Sequence, residues 1–200
     1  MTSAGVVGIG AVPPSGTSSS SYSQLQVGNS FVSDSEGTNS SFQLLQNAYV
    51  GSGNNNYATV GSGSSHSNRI MLTSGVISFS RAYPVTADSQ ITYNESMRIH
   101  SDGNVGIGET APLGKLHVKS ADSGASVNSG HNQVIAENSG NSGMTILSGT
   151  SSNGALCFGD SDNNCIAYIN YAHDGNHLDF GVNNSERMRI DSSGRIGIGS

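Results

Sequence analysis

Glu186-Arg-Met-Arg-Ile-Asp-Ser-Ser-Gly-Arg-Ile-Gly-Ile-Gly199 has an earlier counterpart in the same chain, Glu95-Ser-Met-Arg-Ile-His-Ser-Asp-Gly-Asn-Val-Gly-Ile-Gly108. Glu, Met, Arg, Ile, Ser, Gly and the closing Gly-Ile-Gly recur at a fixed offset of 91 residues. Gln24-Leu-Gln-Val27 and Lys115-Leu-His-Val118 stand at the same offset, and a third Gly-Ile-Gly occupies residues 8–10. A period of this length marks a tandem architecture, and it governs every other assignment of elements.

Met188 and Ile190 alternate with Arg187, Arg189 and Asp191, the period of two of a half-buried strand. Ser192-Ser193-Gly194 and Ser101-Asp102-Gly103 are turn chemistry. A second strand follows, with Ile196 and Ile198 on one face and Gly197 and Gly199 on the other. Glycine inside a strand often marks a close approach of another backbone. The unit therefore reads as a hairpin with one apolar face and one bare face. Met97, Ile99, Gly103, Gly106 and Gly108 in the first copy, and Met188, Ile190, Gly194, Gly197 and Gly199 in the second, are its structural residues.

Apolar residues make up 34% of the 200 and charged residues 11%, against about 45–50% and about 25% in ordinary domains. Ser, Gly and Asn supply 84 residues. Ordering each residue costs on the order of 1–2 kcal/mol, so this chain is expected to gain burial from neighbouring chains. Disorder would come with high net charge and no periodicity; here the net charge is −6 and patterned segments recur. The mild acidity and the scatter of eight Lys and Arg residues speak against nucleic-acid binding. No apolar run approaches membrane-spanning length, and residues 1–10 lack the basic start and apolar core of a signal peptide.

The expected organisation is all-β. Residues 1–21 are the end of a preceding unit and a Pro/Ser linker at 11–21, residues 22–108 are the first unit, 109–113 a connector, and 114–200 the second unit. Strands are expected at 25–27, 42–46, 57–60, 69–73, 76–79 and 90–93. In the second unit they are expected at 115–118, 133–137, 144–147, 155–158, 165–171, 177–182, 188–191 and 195–199. Residues 51–56 and 61–65 read as turns. Residues 42–46 match 133–137 at the 91-residue offset.

The Glu-Arg-Met-Arg-Ile-Asp-Ser-Ser-Gly-x-Ile-Gly-Ile-Gly run, and Gly103-Asn-Val-Gly-Ile-Gly-Glu-Thr-Ala-Pro-Leu-Gly-Lys-Leu-His-Val118, resemble a segment widespread in bacteriophage tail-fibre proteins, often ahead of an intramolecular chaperone domain. The match is strong over 95–118 and 177–199, and it includes neither the chaperone domain nor a phage-attachment segment. The resemblance implies an elongated parallel homotrimer of β-rich units without enzymatic activity, located on the virion and extracellular. It would space or present a host-receptor-binding surface. The implied partners are copies of itself, other fibre or baseplate proteins, and a host surface glycan or protein, with no membrane insertion. A polysaccharide-cleaving tailspike and a bacterial surface filament or adhesin are the alternatives. Twelve Tyr and Phe and no Trp make a thin sugar-stacking platform.

Candidate chemical sites are few, and no cofactor is expected. Gly106-Ile-Gly-Glu-Thr-Ala111 fits the dinucleotide pattern formally, but Pro112 and Gly114 stand where its helix should begin. Asp160, Asp162 and Asn164 alternate like the start of a calcium loop, yet position six is Cys165 and position twelve Tyr171; a polar hairpin loop without metal is expected. Cys157 and Cys165 flank that loop and either bridge or pack as small apolar groups, with buried free thiols the expected state. His173 and His177 are separated by a turn at Asp174-Gly175. His117 either packs or meets its copies on the three-fold axis around an ion. Glu95 and Glu186 are expected to pair with Arg98 and Arg189.

Overall fold

A computed structural model describes residues 6–9, 22–27, 30–35, 41–51, 55–59 and 62–199. The linker at 11–21, Gly10, and parts of the expected turns at 52–54 and 61 lie outside the described residues. Among the described residues there is no helix and the chain is all-β, as expected; its strands form three sheets.

Two compact units divide at Ser142 and Gly143. The first carries β1 Val6–Ile9, β2 Tyr22–Val27, β3 Ser30–Ser35, β4 Ser41–Gln46, β5 Ala48–Val50, β6 Asn56–Ala58, β7 Ser62–Thr73, β8 Val76–Thr86, β9 Asn94–Ile99, β10 Val105–Ile107, β11 Leu116–Lys119 and β12 Val134–Glu137. All but β5 and β6 form one sheet in the order β1-β2-β3-β4-β7-β8-β9-β10-β11-β12, and β5–β6 is a separate hairpin. The second unit carries β13 Asn153–Phe158, β14 Ala167–Ala172, β15 His177–Val182, β16 Ser185–Ile190 and β17 Ile196–Ile198, an antiparallel meander in chain order.

The division at 142/143 differs from the boundary expected at 109–113. The reason is pairing across that connector. β10 takes β11 as a parallel neighbour, with Gly106 opposite His117, and β11 takes β12 in parallel. Residues 114–142 therefore belong to the first sheet.

The two repeat ends match in backbone register. In β9–β10, Met97 stands opposite Ile107 and Ile99 opposite Val105; in β16–β17, Met188 stands opposite Ile198 and Ile190 opposite Ile196. The turns match too. Gly103 N–H donates to the His100 carbonyl and Gly194 N–H to that of Asp191, while Gly108 N–H donates to Ser96 and Gly199 N–H to Arg187. Gly103, Gly108, Gly194 and Gly199 have φ of 82°, 70°, 79° and 72°, the left-handed region that glycine adopts without a Cβ penalty. The repeat strands also carry the same bulge, with Ser96 of β9 the extra residue opposite the Phe79–Ser80 step of β8 and Arg187 of β16 the extra residue opposite the Phe180–Gly181 step of β15. Away from these ends the units differ: β2 is followed by an antiparallel neighbour, β11 by a parallel one.

Several local expectations need correction. Residues 62–65, expected as a turn, open the long strand β7, held by the antiparallel run against β8. Residues 91–93 and 144–147 are not strands. Strands β3 and β5 were not expected. Asn47 separates β4 from β5 at φ 55°; its side-chain amide donates to the His66 carbonyl at 2.9 Å and its oxygen accepts from Thr59 Oγ1 at 2.7 Å. That bend folds the β5–β6 hairpin over β3 and β4. The core of the first unit is correspondingly small: Phe31, Leu45, Ala48, Tyr49, Val50, Ala58, Ala82, Val85 and Ile91.

Candidate functional site

Strand pairing aligns the apolar residues into continuous ladders. Leu25, Val32, Leu44, Ile70, Phe79, Met97, Ile107, Val118 and Ala136 stand opposite one another in succession across β2 to β12. A second row runs Phe42, Leu72, Ile77, Ile99, Val105, Leu116, Val134. Period-two alternation puts both rows on one face of the sheet. That face is open to solvent in the single chain: Leu25, Phe42, Leu44, Leu72, Phe79, Ile107, Val118 and Val134 are all exposed. At its centre Leu25, Val27, Leu44, Ile70 and Phe79 line an apolar hollow of about 530 Å³. The second unit repeats the arrangement with Leu156, Ile169, Phe180, Met188 and Ile198 in one row and Tyr171, Leu178, Ile190 and Ile196 in the next. Met97, Ile99, Met188 and Ile190, singled out as structural residues, are rungs of these ladders.

The reverse side at β10 carries the bare glycine. Gly106 lies between Arg98 and His117, and a Cβ placed there would collide with the Glu109 carbonyl. The close backbone expected at this face is thus the chain's own connector. Arg98 holds it: Nη1 donates to the Thr110 carbonyl at 2.7 Å, while Nη2 donates to Glu95 at 2.9 Å. The expected Glu95–Arg98 and Glu186–Arg189 pairs are both formed. Hydrogen bonding to Glu95 raises the Arg98 pKa, and the Glu186–Arg189 bond lowers the one and raises the other. At Gly197 a Cβ would meet nothing within 4 Å, so the two glycines are not equivalent in their surroundings.

His117 is fully buried within its own chain. Its Nδ1 accepts from the Leu113 N–H at 3.4 Å, which leaves Nε2 to donate to Glu137 at 2.8 Å. The arrangement of three His117 copies about an ion is therefore not available, and the packed alternative describes the residue. Glu109 and Glu137 complete the cluster, with their carboxylate oxygens and the imidazole within 4.8 Å of one another. This is a set that can hold a cation, and the Lys119 ammonium supplies one, 2.8 Å from Glu109 and 3.8 Å from Glu137. The Lys119 bond and the Ala111 N–H hold Glu109 below the ordinary carboxylate range. The Ser123 N–H and hydroxyl, each at 2.8 Å, do the same for Glu137. Lys119 is raised, chiefly by Glu109. The cluster is a brace between β10, β11 and β12. Sequence reasoning missed Glu109, Lys119 and Glu137 because they converge only through parallel pairing, which leaves no local spacing.

In the second unit the Asp160, Asp162 and Asn164 stretch is a self-capped loop. Asp160 Oδ1 accepts from the Asp162 and Asn163 N–H groups, each at 3.0 Å, and Asn163 Oδ1 accepts from the Cys165 N–H. Those backbone bonds lower the Asp160 pKa. Cys157 and Cys165 are bridged as a disulfide rather than buried free thiols. Cys157 stands in register with Tyr168, and the Asx bends of the loop bring Cys165 back to within 4.9 Å between Cα atoms. Cys157 is exposed. His173 and His177 flank the expected turn; His177 contacts Asp179 at 3.3 Å, and His173 packs edge-on to Tyr171.

Comparison with known proteins finds no family model that matches the chain and no significantly similar curated protein.

Proposed function

We propose that this chain is a structural component of a phage tail fibre, made of tandem β units in a parallel homotrimer that spaces or presents a host-recognition surface, and that it is not an enzyme. The observation that carries this reading is the pair of exposed apolar ladders running across the first sheet and repeated in the second unit. Contiguous apolar surface on this scale marks an interaction face. Copies of the same chain are the natural cover, because each brings an identical ladder at the same repeat. Burial of a side chain from about two-fifths exposure contributes roughly 1 kcal/mol, and the rows offer many such side chains per chain. The bridged 157–165 loop, with Cys157 at the surface, suits an extracellular setting, where disulfides persist. Loops on a repeated scaffold are where specificity resides. The exposed Tyr83 ring of β8, stacked on His66 of β7 at 4.3 Å, adds an aromatic contact point on the strands themselves. Three copies would add avidity to weak contacts.

The test is immunogold labelling of virions with antibody to this chain, coupled to incubation of the purified protein with host envelope glycans. Label on the fibres, adsorption to cells and no growth in reducing ends are expected. Sustained release of reducing ends that one or two carboxylate substitutions abolish would replace this reading with the tailspike hydrolase.

A further inference from the structure

Every Gly-Ile-Gly strand followed by further described chain is paired in parallel with the next strand, and always in one register. In the first instance Gly8 stands opposite Gln26 and Ile9 opposite Val27. In the second Gly106 stands opposite His117 and Ile107 opposite Val118. The connector lengths differ by seven residues, yet the register is the same. Pairing is therefore a property of the two strands rather than of the connector. The third instance, β17, is the edge strand of its sheet among the described residues.

The surroundings of β17 match those of β10 with the connector removed. Where residues 109–111 cover Gly106, a cleft of about 480 Å³ lies over Gly197, lined by Glu186, Arg189, Asp191, Arg195 and Ile196. Glu186, Arg189, Ile196 and Gly197 are the 91-residue counterparts of Glu95, Arg98, Val105 and Gly106. The Arg189 side chain is 42% exposed against 19% for Arg98, whose guanidinium is engaged by the Thr110 carbonyl. Ile198 is 80% exposed against 41% for Ile107. An open strand edge is a template for strand addition.

We propose that β17 and the cleft over Gly197 form an acceptor site for one parallel strand. Its occupant is the opening segment of a further unit of this repeat, of the kind Glu-Thr-Ala-Pro-Leu-Gly-Lys-Leu-His-Val at 109–118. The segment's leading carbonyls fill the cleft and meet Arg189, its Leu-x-Val strand pairs with Ile196 and Ile198, and Gly197 gives the room that Gly106 gives in the first unit. The inference goes beyond the virion reading and does not depend on it: the site serves any array of these units.

The experiment copies residues 109–120 directly after Gly199 in the full chain and follows amide hydrogen exchange at Ile196 and Ile198. The Ile196 amide is the counterpart of the Val105 amide, which donates to the Lys115 carbonyl at 2.8 Å. Exchange at both is expected to slow by about tenfold or more on extension. Gly197→Val should restore fast exchange in the extended chain and leave the unextended chain folded, since its Cβ meets nothing. Unchanged exchange on extension would overturn the proposal. So would slow exchange that survives Gly197→Val, or amides already protected in the unextended chain, which would mean a second copy holds the edge. Failure here leaves fibre labelling and cell adsorption untouched.

Discussion

Gly106 and Gly197 occupy the same place in the sequence pattern and require different things of it. Valine at 106 must push the Glu109 carbonyl away and strain the connector that Arg98 holds. Overpacking of this kind costs about 1–3 kcal/mol, so Gly106→Val is expected to lower the urea midpoint clearly. Gly197→Val, with open space around it, should shift the midpoint by no more than about 0.5 kcal/mol in equivalent stability. Equal losses at both positions would contradict this account. The bare face was legible as a place where backbone comes close. Which backbone comes was not, because the two copies read alike and only the chain downstream of each differs. Cys157 and Cys165 show a similar limit. Their symmetric placement marked them as a possible pair, but the closure depends on Asp160 and Asn163 bending the loop through their side-chain oxygens, which spacing does not encode.

At the scale of the element, alternation made β9, β10, β16 and β17 readable, because one face of each is apolar and a one-residue slip would invert it. The start of β7, rich in Ser, has turn composition; it is a strand because β8 pairs along it, and such tertiary context overrides propensity. Residues 144–147 have strand composition and no partner strand. The parallel step from β10 through β11 to β12 carries no local signal, and with it went the brace of Glu109, His117, Lys119 and Glu137. That brace has a definite acid response. Glu109 and Glu137 have folded pKa values below the unfolded carboxylate value of about 4.3. Their contribution is complete above that value and is lost as pH falls through the lower folded values. Amide exchange across 109–137 should therefore stay flat from neutral pH to about pH 5 and accelerate, relative to intrinsic rates, only below about pH 4. Glu137→Gln should flatten that acid limb. An onset well above pH 5 would contradict this assignment to the two carboxylates.

For the whole molecule, the decisive feature is that the apolar ladders of the described residues lie outside the buried core. A chain with 34% apolar residues places Leu25, Leu44, Phe79 and their ladder mates at the surface, while the core of the first unit is built around a few side chains such as Phe31, Leu45 and Val50. Charge on the ladder should then separate association from folding. Leu44→Lys and Phe79→Lys, alone or together, are expected to keep the far-ultraviolet β signature while weakening self-association by about tenfold or more, as a desolvated lysine costs at least one ladder contact. Loss of β structure at the same concentrations would mean that the chain folds only in the assembly, and unchanged association would place the contact elsewhere. Whether copies of the chain cover the ladders is tested by sedimentation equilibrium of the intact protein at micromolar concentration. A species of three times the 20.5 kDa chain mass is expected, dissociating when the ladders carry lysine. A well-folded monomer, with its ladders in water, would contradict it.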